Sequence, residues 1–328
     1  MPQVIIIILN PLFGFYFILI IAMITIARSN SSFIIWLCLE INILAFLPIM
    51  SSEAGVAFEN TIKYFIIQRC ASIIFLFGLI YCLFIGNRFV LLKRIALFFK
   101  LGAAPFHGWF ISILKRCSIW ILFLLSTVQK LLPLLIIVNI MVNPRLLILI
   151  VLFTIIVIFF SVPGRVTLNK VLALSSMANL MWLLFRVQNS VKLIVLFIVI
   201  YSILLLGIIF SVNIRSNSSF YQIERLDNLS KILFIFIFIS LGRLPPLLGF
   251  MIKLLVLKRL ILIIGIFTII SLVFMSLMIL YTYISRFFFY LRIIPSIKLR
   301  IKTRKIKYLK LVSLMSVFNF NLFMILVV

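Results

Sequence analysis

The sequence predicts an all-α membrane protein, a polytopic bundle of about eleven transmembrane helices. Hydrophobic residues make up 66% of the 328 residues, against about 45–50% in soluble domains, and the mean hydropathy is +1.39. Apolar runs of spanning length recur almost end to end and are separated by short polar pieces. The runs lack an apolar–polar alternation of period two, so we expect helices rather than the strands of a barrel.

A transmembrane helix needs about 20 predominantly apolar residues, and this length divides the chain into eleven segments. Polar stretches at residues 29–32, 51–55 and 216–228 are predicted loops, and the basic stretch 296–307 precedes the final helix. Because no composition shift interrupts this pattern, we predict a single integral membrane domain over residues 1–328. The predicted segments are 4–27, 33–51, 61–85, 89–106, 119–142, 145–162, 167–186, 191–213, 229–257, 261–292 and 308–328.

The chain is strongly basic, with 31 Lys and Arg against 5 Asp and Glu and a net charge of +26. The charges lie in the predicted loops and at helix ends, where they are expected to contact anionic lipid headgroups, including cardiolipin. Acidic neighbouring subunits would also balance them. Nucleic-acid binding is not expected, because no basic stripe interleaves with a soluble fold.

Cysteine and histidine usage argues against a redox or metal centre in this chain. Cys38, Cys70, Cys82 and Cys117 lie at wide, irregular intervals within apolar segments, without a CxxC pair or a cluster. His107 is the single histidine, and one histidine cannot supply paired haem ligands or a histidine-rich copper site. We therefore expect no metal and no cofactor bound by this chain.

Several prolines lie inside apolar segments and predict broken helices. A proline inside a helix removes one hydrogen bond, and hydrocarbon tolerates the freed backbone groups only where protein or a hydrated cavity satisfies them. Two such breaks lie close to lysines in separated parts of the chain, which is typical of the ion sites of inverted-repeat carriers. The predicted breaks are at Pro105, at Pro133 near Lys130, and at Pro245 and Pro246 near Lys253.

Ionisable residues inside the apolar segments are candidates for proton transfer. Glu40 is the one acid in the middle of a segment, while Lys100, Lys130 and Lys253 have apolar surroundings. Burial disfavours the charged form of a lysine and a nearby carboxylate favours it, so a lysine between the two effects can exchange protons near neutral pH. The structural alternative for Glu40 is a protonated side chain bonded to a neighbouring helix.

Two further residues are candidate relay members with structural alternatives. His107 has an unperturbed pKa of about 6.5, which suits proton exchange, but it also suits a hydrogen bond at the helix end that Pro105 creates. Lys63 lies near the start of a segment and can extend its amine to the membrane interface.

These residues occur in short motifs that follow one another in a fixed order and spacing. The most specific are LEIN, KLGAAPFH, TxQK and LPPxxGF. Together the stretches resemble the family of NADH-ubiquinone oxidoreductase chain 2, an antiporter-like membrane-arm subunit of mitochondrial respiratory complex I. The similarity extends from residue 36 to residue 292. The stretches are WLCLEINILAFLPIM (36–50), IKYFIIQRCAS (62–72), KLGAAPFHGWF (100–110), TVQKLLPL (127–134), KVLALSSMANLMW (170–182), LGRLPPLLGFMIK (241–253) and YLR (290–292).

The resemblance implies a proton-translocating unit over roughly residues 33–292, in the mitochondrial inner membrane. It implies that Glu40 pairs with Lys100, that Lys130 is the mid-membrane proton carrier, and that Lys253 serves the exit side. It further implies that other membrane-arm subunits are the partners. NADH, FMN, iron–sulfur clusters and ubiquinone would then bind to other subunits of the complex.

The chain also departs from the family pattern. Val128, Asn179 and Met181 stand where Trp, His and Gly are usual, and Arg116 and Arg243 stand at frequent glycine positions. An unpaired arginine in mid-membrane costs roughly 3 kcal/mol or more. Either these arginines have acidic or hydrated partners, or their codons are read as glycine or serine, as several mitochondrial codes read AGA and AGG.

Two other functions compete with the complex I interpretation. A stand-alone cation/proton antiporter-like carrier is expected to hold more intramembrane carboxylates than the single Glu40. A non-pumping scaffold subunit has no need of Glu40 and three buried lysines. The size of the assembly in which the chain migrates separates the carrier from the complex I subunit.

Overall fold

The computed structural model describes residues 11–29, 31–52, 57–85, 90–140, 144–161, 167–187, 191–212, 228–242, 248–260 and 266–293. These residues form thirteen α-helices and no strand. The helices are α1 (Pro11–Arg28), α2 (Ser32–Ser51), α3 (Ala57–Ile85), α4 (Val90–Leu101), α5 (Gly108–Arg116), α6 (Ile119–Ser126), α7 (Val128–Asn139), α8 (Pro144–Ser161), α9 (Leu168–Val187), α10 (Val191–Val212), α11 (Asn228–Gly242), α12 (Leu248–Leu260) and α13 (Ile266–Ile293).

The helices follow the predicted segments, with three differences. The predicted segment 119–142 contains two helices, α6 and α7, and the segment 229–257 contains α11 and most of α12. The short helix α5 occupies a stretch between two predicted segments. The predicted final helix at 308–328 lies outside the described residues.

Five helical spans in the described part of the chain are long and apolar enough to cross a membrane, and three shorter apolar helices accompany them. The five spans differ in burial. Within the fold, 94% of the span Leu168–Phe185 is buried, against 33% of an 18-residue window of the span Phe58–Phe84. Large apolar side chains on the outer helices are exposed, for example Phe17, Phe77 and Phe84, as expected where lipid replaces water as the solvent.

The chain divides into two compact units, residues 1–146 and 147–328. In the first unit α2 packs between α1 and α3, α4 packs on α3, and α7 contacts α1, α4 and α6. In the second unit α10 packs on α11, α13 contacts α9 and α11, and α12 contacts α9, α10 and α11. Since one membrane domain can contain two such units, the single domain over residues 1–328 stays a prediction.

The interruptions of the helices differ in part from the predicted proline breaks. Pro105 lies in the turn between α4 and α5. The break expected at Pro133 is wrong, because Pro133 lies inside α7 and the interruption comes at Thr127. The helix can continue through Pro133 because a proline removes only one hydrogen bond and its φ is helical. At the interruption, the Thr127 hydroxyl donates to the Phe123 carbonyl at 2.6 Å and satisfies that carbonyl at the end of α6. Pro245 and Pro246 lie outside the described residues, between α11 and α12.

Candidate functional site

Lys100 and Lys130 line one small cavity in the first unit, with room for about one water molecule. Lys100 is the penultimate residue of α4 and Lys130 lies in the first turn of α7. Their exposed fractions are 6% and 4%. The other polar side chains of the cavity come from α2, α3 and α7, and they are Asn42, Tyr64, Gln68 and Gln129.

An amide pair and a phenol bridge three helices beside the two lysines. Asn42 Nδ2 donates to Gln129 Oε1 at 2.6 Å, and Gln129 Nε2 donates back to Asn42 Oδ1 at 3.4 Å. The hydroxyl of Tyr64 donates to the same Gln129 oxygen at 3.3 Å. Because Gln129 precedes Lys130, this network ties the start of α7 to α2 and α3.

Glu40 is buried in the middle of α2, as expected, but its ion-pair partner differs from the expectation. Arg69 of α3 donates to a Glu40 carboxylate oxygen, so the expected direct pair of Glu40 with Lys100 is wrong. Lys100 Nζ has no hydrogen-bond partner in the part of the chain that the structure describes. The charges of Glu40 and Arg69 both act on Lys100, and the contact between α2 and α3 brings Arg69 to Glu40.

The turn after Lys100 shapes one wall of the cavity. Gly102 has a φ of +64°, a left-handed conformation that glycine adopts without strain. A Cβ atom on Gly102 would lie 2.9 Å from Cβ of Phe110, so the absent side chain lets Phe110 of α5 pack against the turn. Gln68 Nε2 donates to the Lys100 carbonyl at 3.3 Å, and Trp109 Nε1 donates to the Phe99 carbonyl at 3.2 Å. These bonds hold the end of α4 in place.

Lys130 and Lys253 each lie over an aromatic ring. Lys130 Nζ lies 4.4 Å from the centroid of the Phe110 ring. In the second unit, Lys253 of α12 is 8% exposed, and its Nζ lies 5.3 Å from the Trp182 ring of α9. Both distances fall within the range of cation–π attraction.

A family model decides the relationship of this fold to known proteins. The transmembrane-domain model described as NADH:quinone oxidoreductase/Mrp antiporter matches residues 29–279, more than half of the chain. The chain belongs to this antiporter family. The predicted all-α, antiporter-like fold is therefore confirmed, and the chain is a multi-pass membrane protein.

Individual relatives place the chain within the antiporter family. NADH-ubiquinone oxidoreductase chain 2 of Artemia franciscana is 34% identical over 232 residues, 69% of this chain and 72% of the relative. The protein of the same name from Anopheles gambiae is 34% identical over 262 residues, 75% of this chain and 76% of the relative. The resemblance to the chain 2 family, predicted from the motifs, is confirmed.

Solved structures of low sequence identity share the fold. A chain of respiratory complex I from Thermus thermophilus superposes with a TM-score of 0.71 at 22% identity, covering 83% of this chain and 69% of that chain. A chain of an archaeal membrane-bound sulfane sulfur reductase gives a TM-score of 0.75 at 16% identity, covering 93% of this chain and 72% of that chain. At these identities the likeness concerns the antiporter-family fold.

The remaining candidate residues lie away from the cavity of this antiporter-family chain. Lys63 pairs with Glu59 one helical turn away, and Arg116 Nη1 lies 2.9 Å from the same carboxylate. The side chains of Glu59, Lys63 and Arg116 are 51%, 43% and 50% exposed. Arg116 therefore has an acidic partner, as one explanation of its presence requires, whereas Arg243 lies outside the described residues.

His107 precedes α5, and its side chain makes no capping hydrogen bond to that helix. Its Nδ1 lies 3.0 Å from the Pro105 carbonyl oxygen. His107 does not line the cavity of Lys100 and Lys130, which fits the structural alternative. The relay roles of His107 and Lys63 stay predictions.

Among the described residues, His, Cys, Asp and Glu side chains form no group of three that could hold a metal ion. The four cysteines are free thiols, two of them buried. The absence of a redox centre in this chain stays a prediction.

Reasoning from sequence missed five polar residues around Glu40, Lys100 and Lys130, which are Asn42, Tyr64, Gln68, Arg69 and Gln129. One signal was available for four of them, because Asn42, Gln68, Arg69 and Gln129 are polar residues inside apolar segments of spanning length. Tyr64 had no such signal, since a tyrosine in an apolar segment is common near membrane interfaces.

Proposed function

We propose that this chain is a membrane-arm subunit of respiratory complex I that translocates protons across the mitochondrial inner membrane. Proton transfer would be coupled to electron transfer from NADH to ubiquinone. Membership of the antiporter family and the chain 2 relatives support the proposal. NADH, FMN, iron–sulfur clusters and ubiquinone would bind to other subunits, and the other membrane-arm subunits would be its partners.

The observation that carries the proposal is the shared cavity of Lys100 and Lys130. Two buried lysines on different helices line a space whose lining also includes amide and phenol side chains. A water molecule with two to four polar partners can occupy a cavity of this kind. Such a water, together with the amide and phenol groups, would connect the two amines for proton transfer.

The Glu40–Arg69 ion pair offers a way to control Lys100. While Arg69 holds the carboxylate, the two opposite charges partly cancel at the Lys100 amine. If a conformational change in a neighbouring subunit moved Arg69 away, the negative charge of Glu40 would act on Lys100 alone. Two unit charges about 4 Å apart at an effective dielectric of about 20 interact by about 4 kcal/mol, which is enough to load or unload a proton.

Lys130 would receive the proton in mid-membrane and Lys253 would serve the exit side. Lys253 is 8% exposed and is held in the second unit beside Trp182. Lysine suits this task because its ammonium loses its proton when desolvated, whereas arginine stays charged.

The test is proton pumping by the assembled complex in proteoliposomes carrying Lys130→Met. We expect electron transfer to persist while the number of protons pumped per electron falls. Lys258→Met is the matched control, because Lys258 is an exposed lysine of α12. Unchanged pumping in Lys130→Met would exclude Lys130 as a carrier.

The same preparation distinguishes the competing functions. A complex I subunit is expected to migrate with a very large assembly in native gels, whereas a stand-alone carrier is expected to migrate alone. A scaffold subunit would migrate with the assembly, but its pumping would be insensitive to Lys130→Met.

The exposed basic residues near Glu59 fit the expected contact with anionic lipid, including cardiolipin. Lys115 and Arg116 end α5, and both are exposed. Lys63 lies close to them, because Lys63 and Arg116 pair with the same carboxylate of Glu59. Removing Lys115 and Arg116 together by substitution with Gln is expected to lower the cardiolipin that copurifies with the complex. Unchanged lipid content would exclude this site.

A further inference from the structure

Two aromatic side chains lie under the lysines that the proposed function uses. Phe110 and Trp182 are each 1% exposed. The ammonium position of Lys130 lies 4.4 Å above the first ring and that of Lys253 lies 5.3 Å above the second. The same arrangement therefore occurs in each compact unit, on a different pair of helices.

Packing holds the two rings in position. Phe110 sits against Gly102, where a Cβ atom would approach its Cβ to 2.9 Å and its Cγ to 3.2 Å, and it makes an edge contact with Trp109. Trp182 lies in the buried stretch of α9, and its Nε1 has no hydrogen-bond partner among the described residues. The indole N–H therefore does not explain the position of Trp182, and the ring itself faces Lys253.

An aromatic ring stabilises an ammonium group in a way that a carboxylate cannot. Its electron-rich face attracts the cation, most strongly where water is excluded. A ring has no site that accepts the proton, whereas a buried carboxylate would compete for it. A carrier that must release its proton onwards is therefore better served by a ring than by an acid.

We propose that Phe110 and Trp182 are positioning residues that stabilise the charged forms of Lys130 and Lys253 while each carries a proton. The inference rests on the proposed function and adds two residues to its machinery. It also accounts for Gly102 in the KLGAAPFH stretch, since that glycine makes room for the Phe110 ring.

The test uses the assembled complex in proteoliposomes and four variants of the second unit. Trp182→Leu removes the ring, Trp182→Phe keeps a ring, and Lys253→Met removes the amine. Phe185→Leu is the matched control, because Phe185 lies on the same helix and is equally buried. Protons pumped per electron and the rate of quinone reduction are measured for each variant.

We expect Trp182→Leu to lower the protons pumped per electron as much as Lys253→Met does, with quinone reduction retained. Trp182→Phe is expected to keep at least about half of the pumping that Trp182→Leu loses, because a phenyl face attracts cations less strongly than an indole. Phe185→Leu is expected to pump normally. If Trp182→Leu fails to assemble, Trp182→Met, which fills the site with a flexible side chain, replaces it.

The outcomes separate the inference from the proposed function. If Lys253→Met pumps normally, the proposed role of Lys253 fails and the inference fails with it. If Lys253→Met loses pumping but the ring-free Trp182 variant does not, the proposed function stands and the inference is overturned. Equal losses in Trp182→Phe and Trp182→Leu would also overturn it, because the loss would then come from packing.

Phe110 provides an independent test in the first unit. Phe110→Leu is expected to lower pumping to the level of Lys130→Met, while Phe110→Tyr retains it in part. Phe75→Leu is the control, since Phe75 is 1% exposed and lies over no cation among the described contacts. Normal pumping in an assembled Phe110→Leu complex would overturn the inference for this unit.

Discussion

Buried polar side chains of the two compact units include two different kinds of hydrogen bond. In the first unit, side chains from different helices bond one another, as Asn42 and Gln129 do across 87 residues of sequence. In the second unit, the hydroxyls of Ser175, Ser240 and Thr282 donate to carbonyls of their own helices, at 2.9, 2.6 and 2.7 Å. Both units nevertheless bury a lysine over an aromatic ring.

The interhelical bonds of the first unit lie beside its two buried lysines. Bonds between helices make the first unit a coupled network, in which a shift of α2 or α3 changes the surroundings of α7. In the second unit, the contacts of Lys253 include the face of the Trp182 ring. We therefore expect control of proton transfer to reside in the first unit and substitutions there to have larger effects.

The largest effect is expected for Glu40→Gln, which removes the acid of the first unit. Arg69, whose side chain is 35% exposed, would lose its partner, so we expect about 3 kcal/mol of destabilisation, the low end for a broken buried pair, and loss of proton pumping. The control is Glu59→Gln, whose half-exposed pairs are worth under about 1 kcal/mol. Thermal denaturation and pumping assays measure both variants, and equal effects would show that burial does not distinguish the two acids.

A smaller effect is expected for Gln129→Leu, which removes the side chain that bonds both Asn42 and Tyr64. Asn42 and Tyr64 would lose their common acceptor, and two buried polar groups left unpaired cost about 2–3 kcal/mol. Thr282→Val in the second unit is the comparison, because the Thr282 hydroxyl bonds the Ile279 carbonyl of its own helix. If the denaturation temperature falls equally in both variants, the contrast between the units is wrong.

Gly102→Ala tests the turn that supports Phe110. The positive φ and the 2.9 Å approach to Phe110 Cβ predict about 1–2 kcal/mol of destabilisation. Gly108→Ala is the control, because a Cβ atom there meets nothing within 4 Å. We expect reduced pumping in the first variant alone, measured per electron. If Gly102→Ala changed neither the stability nor the pumping, the turn would accommodate the methyl group by a movement of Phe110 that does not affect function.

The smallest effect is expected for Ser175→Ala in the second unit. Its hydroxyl donates to the Leu172 carbonyl within α9, and that carbonyl also belongs to the helix ladder. The change in unfolding free energy should stay below about 0.5 kcal/mol, with normal pumping. A marked loss of pumping in Ser175→Ala would reveal a hydroxyl path in the second unit and remove the contrast with the first.

The helices were predictable because their cause is local. A spanning length of apolar residues forms a helix in hydrocarbon whatever its neighbours are, so the segments agreed with α1 to α13 outside the interruptions. The interruptions were less predictable. Pro133 indicated a break near Lys130, but the chain turns at Thr127 instead. The helix α5 was missed because nine residues are too few to leave a spanning pattern.

The burial of Glu40, Lys100, Lys130 and Lys253 was predicted from their apolar neighbours and agrees with the structure. Their partners were not predicted. Glu40 pairs with Arg69, which is 29 residues away on an adjacent helix. Hydropathy predicts whether a residue lies inside the membrane. It does not predict which side chain of another helix that residue will contact.

The sequence by itself determined the membrane class, the approximate helix limits, the family and the burial of the ionisable residues proposed to exchange protons. These properties follow from composition and from short stretches, because transfer of a helix into hydrocarbon depends on its own residues. The tertiary structure alone decided that Arg69 holds Glu40, that Gln129 joins three helices, and that rings lie under Lys130 and Lys253. Those contacts join residues on separate helices, and their geometry is set only when the helices pack.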